Sequence, residues 1–220
     1  MEKQKTSSLI INYIKNQYDL NTPIFVKDIY KAFPKISENT IRSLFKRYKD
    51  SGELEIVEKG VYGLPNKNSL FGKTTVYVER VIDEKYITEK YHQRVGYKSG
   101  INFANSLGLT SQTASVDTIY SNSVSNKKRV TKLKNNRIII NAPRVCVTEF
   151  NYKLLQVMDL LNNFKRYSEY TLKEATKIIL QYLSNISLSE KEIDIVVSAY
   201  PLAAQVRFYK IGGQNAIKSK

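Results

Sequence analysis

One cysteine and one histidine in 220 residues leave little material for redox or metal chemistry. Cys146 has no partner in the chain, so no disulfide framework exists and a reducing cytoplasm is the expected compartment. It lies in the apolar run "VCV" and reads as a small buried hydrophobe. His92 stands alone, and no Cys, His or paired-carboxylate cluster has the spacing of a metal site. Long apolar runs are missing too. Nothing approaches the roughly 20 residues of a membrane helix. In the opening "MEKQKTSSLIINYIK", Asn12 and Lys15 interrupt the apolar core of a signal peptide. Acid is scarce as well: 20 Asp and Glu face 35 Lys and Arg, a formal charge of +15. That excess points to a polyanionic partner, nucleic acid before an acidic membrane. A hydrophobic content of 42% and a charged content of 25% exclude wholesale disorder. The length suffices for one large domain or two small ones.

The first 65 residues carry a readable order of elements. Helix signals span 7–17, with Thr6 or Ser7 as cap and Leu9, Ile10, Tyr13 and Ile14 on one face. Pro23 marks a turn before a short helix from Val26 to Ala32, with Ile29, Tyr30 and Phe33 inward and Pro34 as the stop. Ser37 caps a third helix running to about Ser51. Glu38 sits in its first turn, where the dipole favours an acid, and Gly52 ends it as a left-handed C-cap residue. Strands at 54–57 and 61–64 follow, joined through "EKG", with Gly60 in the turn. Three helices and a two-stranded ribbon in this order predict a winged helix-turn-helix over 1–70. "PNKNSLFG", 65–72, reads as a linker.

The third helix supplies the candidate site. Ile41, Leu44, Phe45 and Tyr48 recur at helical spacing and face the core. Asn39, Thr40, Arg42, Ser43, Lys46, Arg47 and Lys49 occupy the other faces. Arg can grip guanine, and Asn adenine, with two parallel hydrogen bonds, and Ser or Thr can reach base or phosphate. Lysines suit phosphates, where a point charge is enough. A solvated, charge-rich helix would carry the same residues, so the supporting helices and the ribbon weigh the reading towards double-stranded DNA. Lys59 at the ribbon tip can enter a minor groove or touch backbone. Tyr62 can bond a phosphate or pack against the third helix.

Beyond the linker, "TTVYVERVIDEKYI" reads as helix, and "GYKSGINFANSLGLT" as a helix stopped by Gly108. "SVDTIYS" reads as a strand. "KKRVTKLKNNRIIIN" reads as a hairpin turning at Asn135-Asn136. Lys127, Lys128, Arg129, Lys132, Lys134 and Arg137 make a second basic surface, open to DNA, RNA or an acidic protein, or serving only to keep an edge strand soluble. After Pro143 the pattern turns helical. Leu154, Leu155, Met158, Leu161 and Phe164 mark one amphipathic helix. "TLKE" and "SEKE", at 171–174 and 189–192, are capping boxes opening two more. Pro201 starts a last helix that Gly212-Gly213 closes. The expected fold class is α+β, with a mixed α/β C-terminal domain over 71–220: strands at about 115–141 and helices at about 151–212. Catalysis finds no support. "GGQN" and "KSG" lack the pattern and context of a phosphate-binding loop, Asp83, Glu84 and Glu89 read as a solvated face, and no cofactor is implied.

The stretch "GYKSGINFANSLGLTSQTASVDTIYSN", 96–122, resembles the AbiEi-type antitoxins of type IV toxin–antitoxin (abortive infection) systems and their relatives. The matching elements are Gly96 to Gly100, Ala104 to Leu109, Thr110 to Gln112, Val116 to Ser121 and Lys127 to Ile140. The resemblance implies an N-terminal winged helix that binds operator inverted repeats in its own promoter. It also implies a C-terminal antitoxin domain acting against a nucleotidyltransferase-like toxin encoded nearby. The chain would then be a DNA-binding transcriptional autorepressor and not an enzyme. The alternative is a winged-helix regulator whose C-terminal domain senses a small ligand, and a third class is a nucleic-acid enzyme without a legible active site.

Overall fold

The computed structural model of the chain describes residues 2–66, 76–89, 93–124, 128–133 and 136–217. The fold is mixed α+β, and the chain divides into two compact units, 1–82 and 83–220.

In the first unit, α1 (Glu2–Gln17) begins before the expected residue 7. It is followed by β1 (Ile24–Phe25), α2 (Val26–Ala32), α3 (Glu38–Asp50), β2 (Glu55–Glu58) and β3 (Val61–Gly63). A short helix, α4 (Val78–Ile82), ends the unit. The ribbon gains a strand that no periodicity announced: β1 pairs antiparallel with β3, giving the order β1-β3-β2. Two residues are too short for an alternation to register, so only the pairing reveals them. Ile10, Ile14, Ile24, Ile29, Ile41, Leu44, Phe45, Tyr48 and Leu54 form one buried core. Each such side chain contributes about 1.5–3 kcal/mol by leaving water. Of the linker expected at 65–72, only Pro65 and Asn66 lie within the described residues.

The second unit opens on a π-helical turn (Asp83–Ile87) and the short pair β4 (Thr88–Glu89) and β5 (Gln93–Arg94). Helix was expected from residue 96, but Gly96–Ser99 is a strand, β6, and α5 starts only at Gly100 (Gly100–Ser106). Gly100 sits at φ +75°, a left-handed conformation that glycine reaches without steric cost, so the chain turns there from strand into helix. β7 (Val116–Ser121), β8 (Lys128–Leu133) and β9 (Asn136–Asn141) complete a four-stranded sheet in the order β6-β7-β9-β8. Its β7–β9 pair is parallel and the other two are antiparallel. The hairpin register sets Leu133 opposite Asn136, one residue earlier than the expected turn at Asn135-Asn136; Lys134 and Asn135 lie outside the described residues.

Helices α6 (Tyr152–Asn162), α7 (Phe164–Tyr167), α8 (Leu172–Leu183), α9 (Glu190–Ser198), α10 (Leu202–Lys210) and α11 (Gly213–Ala216) follow. Helix α6 is not the amphipathic surface helix expected from its apolar spacing. Every residue from Leu154 to Leu161 is buried, and Phe164 belongs to the separate turn α7. A helix buried on all sides is a central one, and α6 is packed by β6, α5, α8, α9 and α10. Cys146 is exposed, not buried; Val147 takes the inward position instead. Asp83 is not merely solvated, because it pairs with Lys98 at 3.2 Å.

Both capping boxes form. In α9 the Ser189 Oγ accepts from the Glu192 N–H at 3.4 Å, while the Glu192 carboxylate accepts from the Ser189 N–H at 2.8 Å. Ser189→Ala should lower stability by about 1 kcal/mol, read as a lower urea midpoint at unchanged slope. An unshifted midpoint would mean the box holds nothing that water does not.

Burying α6 carries two polar side chains inside. Asp159, 3% exposed, accepts hydrogen bonds from the Tyr97 hydroxyl at 2.8 Å and the Tyr200 hydroxyl at 3.0 Å, with the Ser99 hydroxyl at 3.4 Å. Gln156 donates to the Lys98 carbonyl at 2.8 Å and accepts from the Tyr182 hydroxyl at 2.6 Å. The tyrosines are the more firmly protonated for it. Burial pushes Tyr97 and Tyr200 well above the ordinary phenol value, and the Asp159 charge pushes the same way.

Candidate nucleic-acid interface

Helix α3 is built from both ends. At its start the Ser37 Oγ accepts from the Thr40 N–H at 3.2 Å, satisfying one of the free donors of the first turn. At its end Gly52 takes φ +73° and the Ser51 N–H donates to the Arg47 carbonyl at 2.8 Å. Ile41, Leu44, Phe45 and Tyr48 are buried, which fixes the roll of the helix. Asn39, Thr40, Arg42, Ser43, Lys46, Arg47 and Lys49 are therefore all turned to the exterior. Lys59, at the ribbon tip beside Gly60, is exposed as well.

Of the expected base readers, Arg42 and Ser43 are held by local side-chain bonds. Arg42 donates from Nε to the Tyr30 hydroxyl at 2.8 Å and from a terminal nitrogen to Glu38 at 2.7 Å. The Tyr30 bond holds its guanidinium above the ordinary arginine value. Ser43 donates to the Asn39 carbonyl at 2.9 Å, and the Thr40 hydroxyl shares a 2.8 Å bond with Ser37. The Arg42–Glu38 pair is about 60% exposed on both sides, and such pairs contribute little, so the guanidinium can be handed to another acceptor at small cost. Lys46, Arg47, Lys49 and Lys59 have no ion pair among the described residues. The part of Tyr30 was not legible, since it lies on α2, twelve residues before the arginine it orients.

Of its two expected roles, Tyr62 is placed for packing: its ring centre lies 5.0 Å from that of Phe45, at 67°. Burial first, and Tyr30 second, raise its hydroxyl above the ordinary phenol value.

The second basic surface stands on a sheet edge. Lys128, Arg129, Lys132 and Arg137 are exposed on β8 and β9, while Lys127 and Lys134 lie outside the described residues. Lys132 is registered directly opposite Arg137. Like charges in that arrangement repel, and a bound anion would relieve the repulsion. The second unit holds 21 Lys and Arg against 11 Asp and Glu, or +10 of the chain's +15. The positive field is thus not confined to the unit that carries α3.

Among the described residues, no cluster of three His, Cys, Asp or Glu side chains could hold a metal ion, and no helix is long and apolar enough to cross a membrane. No model of a known protein family matches the chain, and no curated protein matches it.

Proposed function

We propose that the chain is a DNA-binding antitoxin that represses its own operon. In this reading α1 to α3 and the ribbon form a winged helix-turn-helix. α3 lies in the major groove of operator inverted repeats, and the β2–β3 wing reaches the adjacent backbone. Arg42, Asn39 and Ser43 read base edges, Thr40 reaches base or phosphate, and Lys46, Arg47, Lys49 and Lys59 hold phosphates. The second unit, resembling the AbiEi antitoxin domain, counters a nucleotidyltransferase-like toxin encoded nearby. The observation that carries the DNA part is the rigid mounting of α3: four buried side chains set its roll, and the cations opposite them are exposed.

A gel shift with the chain's own upstream DNA, at two salt concentrations, tests this. Arg42→Ala should cost about 1–3 kcal/mol on the operator and little on random DNA. Lys46→Ala should weaken both alike and reduce the salt slope by about one. If each change weakens operator and random DNA equally, the division between base readers and phosphate holders is wrong. Absence of binding to the upstream DNA at low salt would remove the repressor reading altogether.

A further inference from the structure

Within the 83–220 unit, a cavity of about 280 Å³ is lined by Asp83, Ile87, Thr88, Arg94, Tyr97, Lys98 and Gln156. The Gln156 amide is used at both ends, by the Lys98 carbonyl and the Tyr182 hydroxyl, and the Tyr97 hydroxyl is spent on Asp159. Arg94 is different. Its guanidinium lies 3.8 Å from the ring centre of Tyr152, and its Nε donates to Glu149 at 3.2 Å. The side chain is only 24% exposed, yet its two terminal nitrogens have no partner among the described residues. Lys98 stands on the same wall in an ion pair with Asp83 that is nearly half exposed, and therefore weak.

We propose that this cavity binds the oxyanion end of a small molecule, a carboxylate or a phosphate, on the Arg94 fork, with Lys98 as the second cation. A guanidinium fixed by a ring stack and an Nε bond has already lost its rotamer freedom. Its planar fork fits the two oxygens of such a group. The Arg94 terminal nitrogens and the Lys98 ammonium can only donate, and the Thr88 hydroxyl adds a neutral donor. The one carboxylate on the wall, Asp83, is already paired to Lys98, so the cavity selects an acceptor ligand. Ile87 offers an apolar contact to its remainder. The volume sits at the small end of ligand sites, which suits a metabolite and not a polymer. The proposal does not depend on DNA binding, and its test contains no DNA.

The full-length protein is titrated with inorganic phosphate and, separately, with succinate, each at constant ionic strength made up with chloride. The Arg94 Nε–H resonance and the Ile87 methyl are followed by NMR. A saturable shift of both is expected with at least one of the two anions, and which anion it is tells phosphate from carboxylate. Arg94→Lys keeps the charge but loses the fork, so the Ile87 titration should weaken roughly tenfold, the value of one charge-assisted hydrogen bond. Lys98→Gln, which leaves Arg94 in place, should weaken it less. No saturable shift with either anion overturns the site. So does an Ile87 titration unchanged in Arg94→Lys, which would assign the anion to the general positive surface.

Discussion

Gly96→Ala should collapse the sheet of the 83–220 unit. The new Cβ would press on the Tyr86 carbonyl oxygen and lie 2.5 Å from the Tyr120 carbonyl oxygen, with Ser121 Cβ at 3.2 Å. The two oxygens belong to backbone, one to the π-helical turn and one to β7, so neither can swing aside like a side-chain tip. Overpacking ordinarily costs about 1–3 kcal/mol and more where nothing can move, so about 3 kcal/mol or above is expected. Gly108→Ala is the control. Gly108 takes φ +72° with nothing within 4 Å of its Cβ position, so only the strain of a left-handed alanine remains, about 1–2 kcal/mol. Urea unfolding followed by near-ultraviolet dichroism of the tyrosines separates the two. If both variants shift the midpoint equally, β6 does not pass as close to its neighbours as the fold requires.

The second large effect depends on pH. Burial pushes the Asp159 carboxyl up to about 7, against the lowering pull of hydrogen bonds from Tyr97 and Tyr200, the Arg144 charge and a bond from Ser99. The folded value is thus raised above the unfolded one of about 3.9. Between these values the folded protein keeps a proton that the unfolded chain has released. Stability from this group is full below about pH 4 and is lost as pH rises through about 7, at up to about 1.4 kcal/mol per pH unit. Other carboxyls work the opposite way: Glu169, bonded first by the Thr110 hydroxyl and then by the Ser111 N–H, is held below the ordinary value. The comparison is therefore with Asp159→Asn, which cannot ionise. Relative to wild type, the variant should gain stability steadily from about pH 4 to pH 7 in urea unfolding, and stay level below pH 4. A wild-type-to-variant difference that does not change with pH would mean Asp159 is ionised within the fold across that range.

Local elements were legible wherever a local interaction makes them. The capping boxes at Thr171 and Ser189, the Ser37 cap and the Gly52 terminus of α3, the bounds of α2 and the strand at 116–121 each involve residues a few positions apart. Their physics is complete within one turn or one strand. The exposed cations of α3 belong to the same class, because the 3.6-residue period that buries Ile41 and Leu44 dictates which side chains remain outside. Composition likewise determined the sign and size of the charge that any partner must meet.

Only the tertiary structure decided the rest. "GYKS" became a strand because β7 was there to pair with it, and a central helix made the polar side chains of Gln156 and Asp159 inward ones. Cys146, expected inside, came out exposed beside the buried Val147, and Arg42 and Arg94 acquired their orienting tyrosines from other elements of the chain. Each of these outcomes is set by what lies across a strand pair or a helix packing many residues away, and burial at that distance overrides local propensity. A sequence window holds one side of such a contact, while its free energy depends on both.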